Sequence, residues 1–233
     1  MAQSVGNAKN ILVGASPLFL TVEDSTVSGY VENQEPGNAY AGTSSRNTKV
    51  PAYVSTESYV STLNALDTTA GVNGAAYRNV GYTNNGLQIT YNPTYDAVTV
   101  DQLLDTAKLF KSAMEVMIAT EMSEGTLQNV LVVFGQKAST LSGSTLGLEA
   151  GALGAAPTER QLIAIGQAPT TSSVYSERIY YARRVLSVQQ SQFSLARTTP
   201  TTFPVTFRLL PSGESAYTGS EYGKIIDRTW TPA

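Results

Sequence analysis

The amino-acid sequence predicts a mainly β fold, a β-sandwich or barrel with one short helix and long loops. Short segments alternate apolar and polar residues, Gly and Pro interrupt them often, and a single segment carries a full set of helix signals. The clearest alternation lies in TTFPVTFRLLPSG, residues 201–213. Its apolar side chains fall on one side of a strand that Pro211 ends: Phe203, Val205, Phe207 and Leu209.

Composition indicates one domain over residues 1–233 with a sizeable core. The chain has 233 residues, of which 42% are hydrophobic. Only 14% are charged, against about 25% in an average soluble domain. Much of the surface is therefore expected to be neutral and polar, or covered by other chains.

The sequence contains no His and no Cys. Disulfides, Cys/His zinc sites and Ser-His-Asp or Cys-His catalytic groups are therefore excluded. We expect a protein that is not an enzyme and holds no cofactor and no metal. No run of about eighteen apolar residues and no signal peptide is visible, which predicts a soluble, unprocessed chain outside the membrane.

The N-terminal third combines short strands with a long loop. Residues 10–24 hold two apolar runs split by Gly14 and Pro17, which predicts a strand, a bend and a second strand. Residues 33–85 are rich in Gly, Asn, Ser, Thr and Ala, and are too long for an ordinary connection. Because tyrosines are scattered through this loop, we expect an arm that orders against another subunit.

The middle of the chain gives conflicting patterns. After a hairpin-like Asn-Gly step, residues 87–91 and 97–103 read as two β runs. The next segment has helical spacing at Leu103, Ala107, Phe110, Met114 and Met117. Its second half also alternates strictly, as a strand does. Periodicity alone does not decide between helix and strand for residues 101–117.

One short helix is predicted after this segment. Thr126 is a capping residue, and Gly135 is a typical helix end. The expected apolar stripe is Leu127, Val130, Leu131 and Phe134. Residues 136–158 then form a second long loop of low complexity, and three further strand regions lie at 160–166, 177–195 and 222–230, besides the strand already described.

Isolated polar groups offer weak candidates for a site. Glu121 with Glu124, or Asp101 with Asp105, resemble a glycosidase carboxylate pair, but surface charges are far commoner and no confirming context exists. Arg183 and Arg184 beside two tyrosines resemble a small patch for single-stranded nucleic acid. The acidic balance of the chain, −3 overall, disfavours that reading.

The charge is unevenly distributed along the chain. Residues 1–136 carry six basic and twelve acidic side chains, and residues 137–233 carry nine basic and six acidic. The two parts therefore have net charges of −6 and +3. In neighbouring copies, the acidic part of one chain would attract the basic part of the next. Ordinary solvated surface charge is an equally good explanation of the uneven distribution.

The C-terminal third resembles phage major tail proteins, the tail tube proteins of long-tailed bacteriophages. In this sequence a long strand region is followed by PVTF, a proline stop, a loop and YGKIID, which is the order at the end of that family. The middle is similar as well, where ITYNPTYDAVTVDQ and a strand precede TLQNVLVVFG. The likeness covers residues 87–230.

The resemblance implies a strand at residues 112–123 and a helix starting near Glu124. It also implies hexameric rings whose sheets continue between subunits, stacked into a tube that passes double-stranded DNA without binding it. Other tail proteins at the tube ends are the implied partners, and the virion, assembled in the host cytoplasm, is the implied location.

Three acidic residues are candidates for the tube lumen: Asp101, Glu115 and Glu121. On a strand over residues 113–123, Met114, Val116, Ile118 and Met122 form an apolar face, so the glutamates point the other way. An acidic wall repels the DNA backbone. A plain solvated outer face remains the other reading.

Two other functions fit the same composition. A carbohydrate-binding or adhesin-like β domain also has many strands and little charge, with Trp230 or an exposed Tyr as the sugar platform. A different virion shell component is the third possibility.

Overall fold

The fold is known from a computed structural model, which describes residues 18–21, 77–99, 105–150, 153, 157–168, 175–188, 192–195, 197–198, 200–213 and 215–230. These residues form a mainly β protein, as predicted. The strands are β1 (Leu18–Thr21), β2 (Tyr77–Asn79), β3 (Thr83–Thr99), β4 (Thr106–Met122), β5 (Leu141–Ser142), β6 (Thr145–Leu146), β7 (Arg160–Gln167), β8 (Tyr175–Ser187), β9 (Phe203–Leu209) and β10 (Gly223–Trp230).

Eight of these strands form one antiparallel sheet. Its order is β2-β1-β7-β8-β9-β4-β3, and β10 branches off by pairing with β8. The branch exists because β8 is long: β10 pairs with Tyr175–Ala182, whereas β9 pairs with Val185–Ser187 on the same edge. The two small strands β5 and β6 form a separate hairpin.

The core is formed by one buried face of this sheet together with the helix at residues 127–133. Strand β9 buries its predicted residues and is paired on both sides, by β4 and β8. On β4 the face with Val116, Ile118 and Met122 is buried, as predicted. These side chains share one apolar cluster with Leu18 of β1 and Leu162 of β7. Apolar burial on this scale is the main stabilising term of the fold.

The predicted helix is confirmed as α1 (Leu127–Val133). Thr126 caps it, because its hydroxyl oxygen accepts the backbone N–H of Asn129 at 3.2 Å. Gly135 follows the C-terminus at φ +63°, a conformation that favours glycine. The expected apolar stripe is only partly right. Leu131 is buried, with Asn129, Val132 and Val133, whereas Leu127 and Phe134 are exposed.

The structure resolves the helix-or-strand conflict. Residues 106–122 are strand throughout, so their helical spacing does not set their structure. The first predicted β run, 87–91, and the start of the second, 97–99, belong to one strand, β3, and residues 100–103 lie outside the described residues. The Asn-Gly step is not a hairpin turn. Asn85 and Gly86 form an irregularity inside β3, with φ +60° and +67°.

The predicted loops differ in outcome. Of the expected strand, bend and strand at residues 10–24, the second strand is β1, and the first lies outside the described residues. Most of the arm at 33–85 also lies outside them. Its last residues belong to β2 and β3, so the loop range is too long at that end. The loop at 136–158 contains a 3-10 helix (Ala138–Thr140) and the β5–β6 hairpin.

Candidate assembly interface

Strands β3 and β4 form a long two-stranded ribbon that reaches beyond the body of the protein. Each strand has 17 residues, and the two pair along their length. Residues 94–99 and 106–113, here named the outer ribbon, are exposed at every position. At about 3.4 Å per residue this part extends about 25 Å.

The ribbon exposes large apolar side chains on both faces. Its exposed set is Ile89, Tyr91, Tyr95, Val98, Leu109 and Phe110. Tyr95 and Leu109 lie on one face, and Val98 and Phe110 on the other, as the pairing register shows. An isolated two-stranded hairpin is marginally stable in water, and contiguous exposed apolar surface marks an interaction site. The outer ribbon is thus a surface that another chain is suited to cover.

Both edges of the outer ribbon carry unpaired backbone groups within the described residues. Strand β3 pairs only with β4 there. Strand β4 pairs with β9 only from Met117 to Met122, since β9 ends at Leu209 and Pro211 has no N–H to continue the ladder. Open strand edges of this length are templates for pairing with further strands.

The base of the ribbon is fixed to the body. The phenolic O–H of Tyr222 donates to the carbonyl oxygen of Met114 at 3.5 Å, where β4 leaves β9. One residue outward from this base, the register shifts: Thr94 opposes Ala113 and Tyr95 opposes Lys111, which leaves Ser112 as a bulge. The bulge lies at the inner end of the outer ribbon, next to the packed base.

Carboxylates near this base are held by local contacts. The backbone N–H of Gly219 donates to the Glu221 carboxylate at 2.8 Å and lowers the pKa of that group, and the positive charge of Lys111 contributes in the same direction. The Glu115 carboxylate lies 3.5 Å from the Arg208 guanidinium on β9. These electrostatic contacts lie at the base of the ribbon, where the Glu115–Arg208 pair links β4 to β9.

The predicted lumen residues are placed as follows. Glu115 and Glu121 alternate with the buried residues of β4 and therefore lie on its other face, as predicted. The Glu121 carboxylate accepts a hydrogen bond from Asn84 Nδ2 at 3.4 Å. Asp101 lies outside the described residues. Whether this face lines a lumen stays a prediction.

The glycosidase-like pairs find no support. The Glu124 carboxylate accepts the backbone N–H of Tyr82 at 3.0 Å, which is a structural contact between the segment before α1 and the residue before β3. Asp105 accepts the N–H of Thr106 at 2.7 Å. Among the described residues no three acidic side chains cluster as metal ligands, and no helix there has the length and apolar character to cross a bilayer.

The basic-aromatic patch around Arg183, which the charge of the chain already disfavours, is not a surface patch. Arg183 and Tyr181 are buried. The Arg183 guanidinium lies 3.7 Å from the Tyr217 ring centroid, and its Nε donates to the carbonyl oxygen of Ser220 at 3.0 Å. Arg184 instead forms a bidentate pair with Glu159, at 2.7 and 2.8 Å. Neither guanidinium is presented to a nucleic acid. The Trp230 ring lies outside the described side chains.

Sequence reasoning missed the ribbon itself. Its signal was available, because aromatic or branched side chains occur on both faces of residues 89–98, where a half-buried strand shows them on one. Searches of the sequence against protein-family models and against curated proteins find no match. Function is therefore inferred from the geometry of the ribbon and from the sequence pattern.

Proposed function

We propose that the protein is a structural virion protein that polymerises as stacked hexameric rings into a phage tail tube, a conduit for genome DNA. The observation that carries the proposal is the outer ribbon, which is exposed on both faces and has no further strand on either edge among the described residues. A monomer gains nothing from such a structure and is exposed to aggregation by it. In an assembly, the same ribbon is covered.

Burial of the ribbon supplies a driving force for assembly. Six large apolar side chains are 40–66% exposed on it, so covering each one gains roughly half of the ~1.5–3 kcal/mol that complete burial of such a side chain is worth. Part of this gain is offset by the entropy of association. In a closed ring the entropy of association is offset by repeated contacts. Each copy has its own ribbon covered by one neighbour and covers the ribbon of the other neighbour.

The charge of the chain fits a conduit for DNA. Duplex DNA carries about one negative charge per 1.7 Å, and basic surfaces bind it by releasing counterions. The protein has a net charge of −3, and Glu115 and Glu121 occupy the face of β4 opposite the core. A lumen lined by this face does not attract the DNA backbone, so that DNA slides.

The proposal is tested by shortening the ribbon. Residues 95–112 are replaced by Asn-Gly, which joins Thr94 to Ala113 through a two-residue turn at a pair that is already opposed. Because every removed residue in the described ribbon is exposed, the variant is expected to keep the circular dichroism spectrum and thermal midpoint of the parent. Negative-stain images should show rings or tubes for the parent and none for the variant.

Two results contradict the proposal. The first is a parent protein that sediments only as a 24.7 kDa species over a wide concentration range. The second is a shortened variant that assembles as the parent does. Binding of a glycan array by a monomeric parent favours the carbohydrate-binding alternative instead.

A further inference from the structure

The two strands of the outer ribbon carry opposite charges. The charged residue on its β3 side is Asp96, and those on its β4 side are Lys108 and Lys111. None of the three forms an ion pair within 4 Å with another described residue. Asp105, which directly precedes β4, is engaged by the N–H of Thr106. Lys111 also acts electrostatically on the Glu221 carboxylate at the base of the ribbon. Among the described residues Asp96 and Lys108 have no charged partner, which suits them to a partner on another chain.

The position of these charges relative to the faces follows from the register. Val98 opposes Lys108, so Lys108 lies on the face of Asp96 and Val98. Lys111 opposes Tyr95 and lies on the other face. A strand that pairs with the open edge of β4 therefore has a lysine beside it on each face of the extended sheet. A strand that pairs with the open edge of β3 has Asp96 beside it on one face only.

Three ways of pairing two ribbons differ in electrostatic energy. If β4 pairs with β4 of a second copy, the lysines of both copies share one edge and repel. If β3 pairs with β3, two copies of Asp96 meet. Only pairing of β3 with β4 places Asp96 of one copy beside Lys108 of the next on the same face. Opposite charges across strands stabilise a sheet and like charges destabilise it.

We propose that Asp96, Lys108 and Lys111 select head-to-tail pairing of the outer ribbon, β3 of one copy with β4 of the next, over two-fold pairing. This inference rests on the proposed self-assembly and names the surface and the partner, a second copy of this chain. Head-to-tail contacts use two different surfaces and therefore propagate into closed rings or filaments, whereas two-fold contacts stop at a dimer. The charge pattern thus fixes what kind of assembly forms.

The test uses two variants of opposite charge. Asp96→Lys makes both strands of the ribbon basic, and Lys108→Asp with Lys111→Asp makes both acidic. Each variant alone turns an attractive contact into a repulsive one, so its critical concentration for assembly should rise about tenfold at low salt. Mixed one to one, the variants restore complementary edges, and the mixture should assemble near the parent concentration.

Controls separate this effect from net charge. Glu149→Lys and Lys137→Asp change exposed residues outside the ribbon and should leave the critical concentration within about twofold of the parent. At about 1 M salt the Debye length falls to about 3 Å, and all variants should converge. Light scattering against concentration gives the critical value, and negative-stain images identify the product.

The outcomes distinguish the two proposals. If the parent assembles and both charge variants assemble equally well alone, the charge selection is wrong and the proposed function stands. If the parent never assembles, the proposed function fails, and the inference that rests on it fails as well. If the parent assembles but the one-to-one mixture does not recover its critical concentration, the charge selection is wrong.

Discussion

The side-chain amide of Asn129 donates a hydrogen bond of 2.8 Å to the carbonyl oxygen of Val80, 49 residues earlier in the chain. The same Nδ2 donates to the carbonyl oxygen of Glu124 at 2.9 Å. Asn129 is fully buried on α1, and Val80 is buried just before β3. One polar side chain thus ties the segment just before the ribbon to the helix, which packs against β9.

Replacement of Asn129 by Ala should destabilise the fold by about 2 kcal/mol, because it leaves two carbonyl oxygens without this donor. The matched control is Gln128→Ala on the exposed side of the same helix, which should change stability by less than about 0.5 kcal/mol. Urea unfolding at a concentration below assembly measures both. An Asn129 variant as stable as the control contradicts the role assigned to the amide.

A side chain at Gly81 should displace the Glu124 carboxylate and destabilise the fold. Its φ is +83°, and an added Cβ meets the Glu124 carboxylate, which also accepts the N–H of Tyr82. Gly86 is the matched control, since it has a similar φ of +67° but open space around an added Cβ. Gly86→Ala should cost about 1–2 kcal/mol of backbone strain, and Gly81→Ala measurably more. If urea unfolding shows the same loss of unfolding free energy for Gly81→Ala and Gly86→Ala, the contact with Glu124 does not contribute to the cost at Gly81.

Much of the body of the fold was predictable from local pattern. The alternation of Phe203, Val205 and Phe207 identified β9, and the capping hydroxyl of Thr126 identified α1. These features succeed because burial on one face and capping are set by neighbours in sequence.

The ribbon was not predictable in the same way. Phe110 and Met114 have helical spacing, and only the pairing partners of β4, which are distant in sequence, select strand. The buried face of α1 was misjudged for a similar reason. Asn129 is polar and reads as surface, yet it is buried because Val80 and Glu124 supply its hydrogen-bond acceptors.

The fold should lose stability in acid through Asp227. Its carboxylate receives two hydrogen bonds from Arg178, at 2.6 and 2.7 Å, and the Arg178 side chain lowers the pKa of this group. A folded-state pKa below the unfolded value stabilises the fold above about pH 4, and this contribution is lost as the pH falls through the folded pKa.

Asp227→Asn should therefore cost about 0.5–1 kcal/mol at pH 7, since the pair is half exposed, and progressively less below pH 4. Asp96→Asn, which removes a carboxylate without an ion pair, is the control. Urea unfolding at pH 7 and again below pH 4 gives the free energy of unfolding of the parent and of each variant. A cost for Asp227→Asn that does not change with pH contradicts the linkage.

The charge of the β4 face opposite the core should decide whether assembled tubes hold DNA. Glu121→Lys is the better probe, because Glu121 has one long hydrogen bond to Asn84, whereas Glu115 also pairs with Arg208. If this face lines the lumen, parent tubes should not pellet short duplex DNA, and variant tubes should retain it at low salt. Retention should fall as salt rises, with a logarithmic slope of about −0.9 for each phosphate neutralised per bound copy. Glu149→Lys supplies the same change of charge outside the ribbon. Equal retention by the two variants would show that the charge acts from the outer surface of the tube, and the lumen assignment of Glu115 and Glu121 would then be wrong.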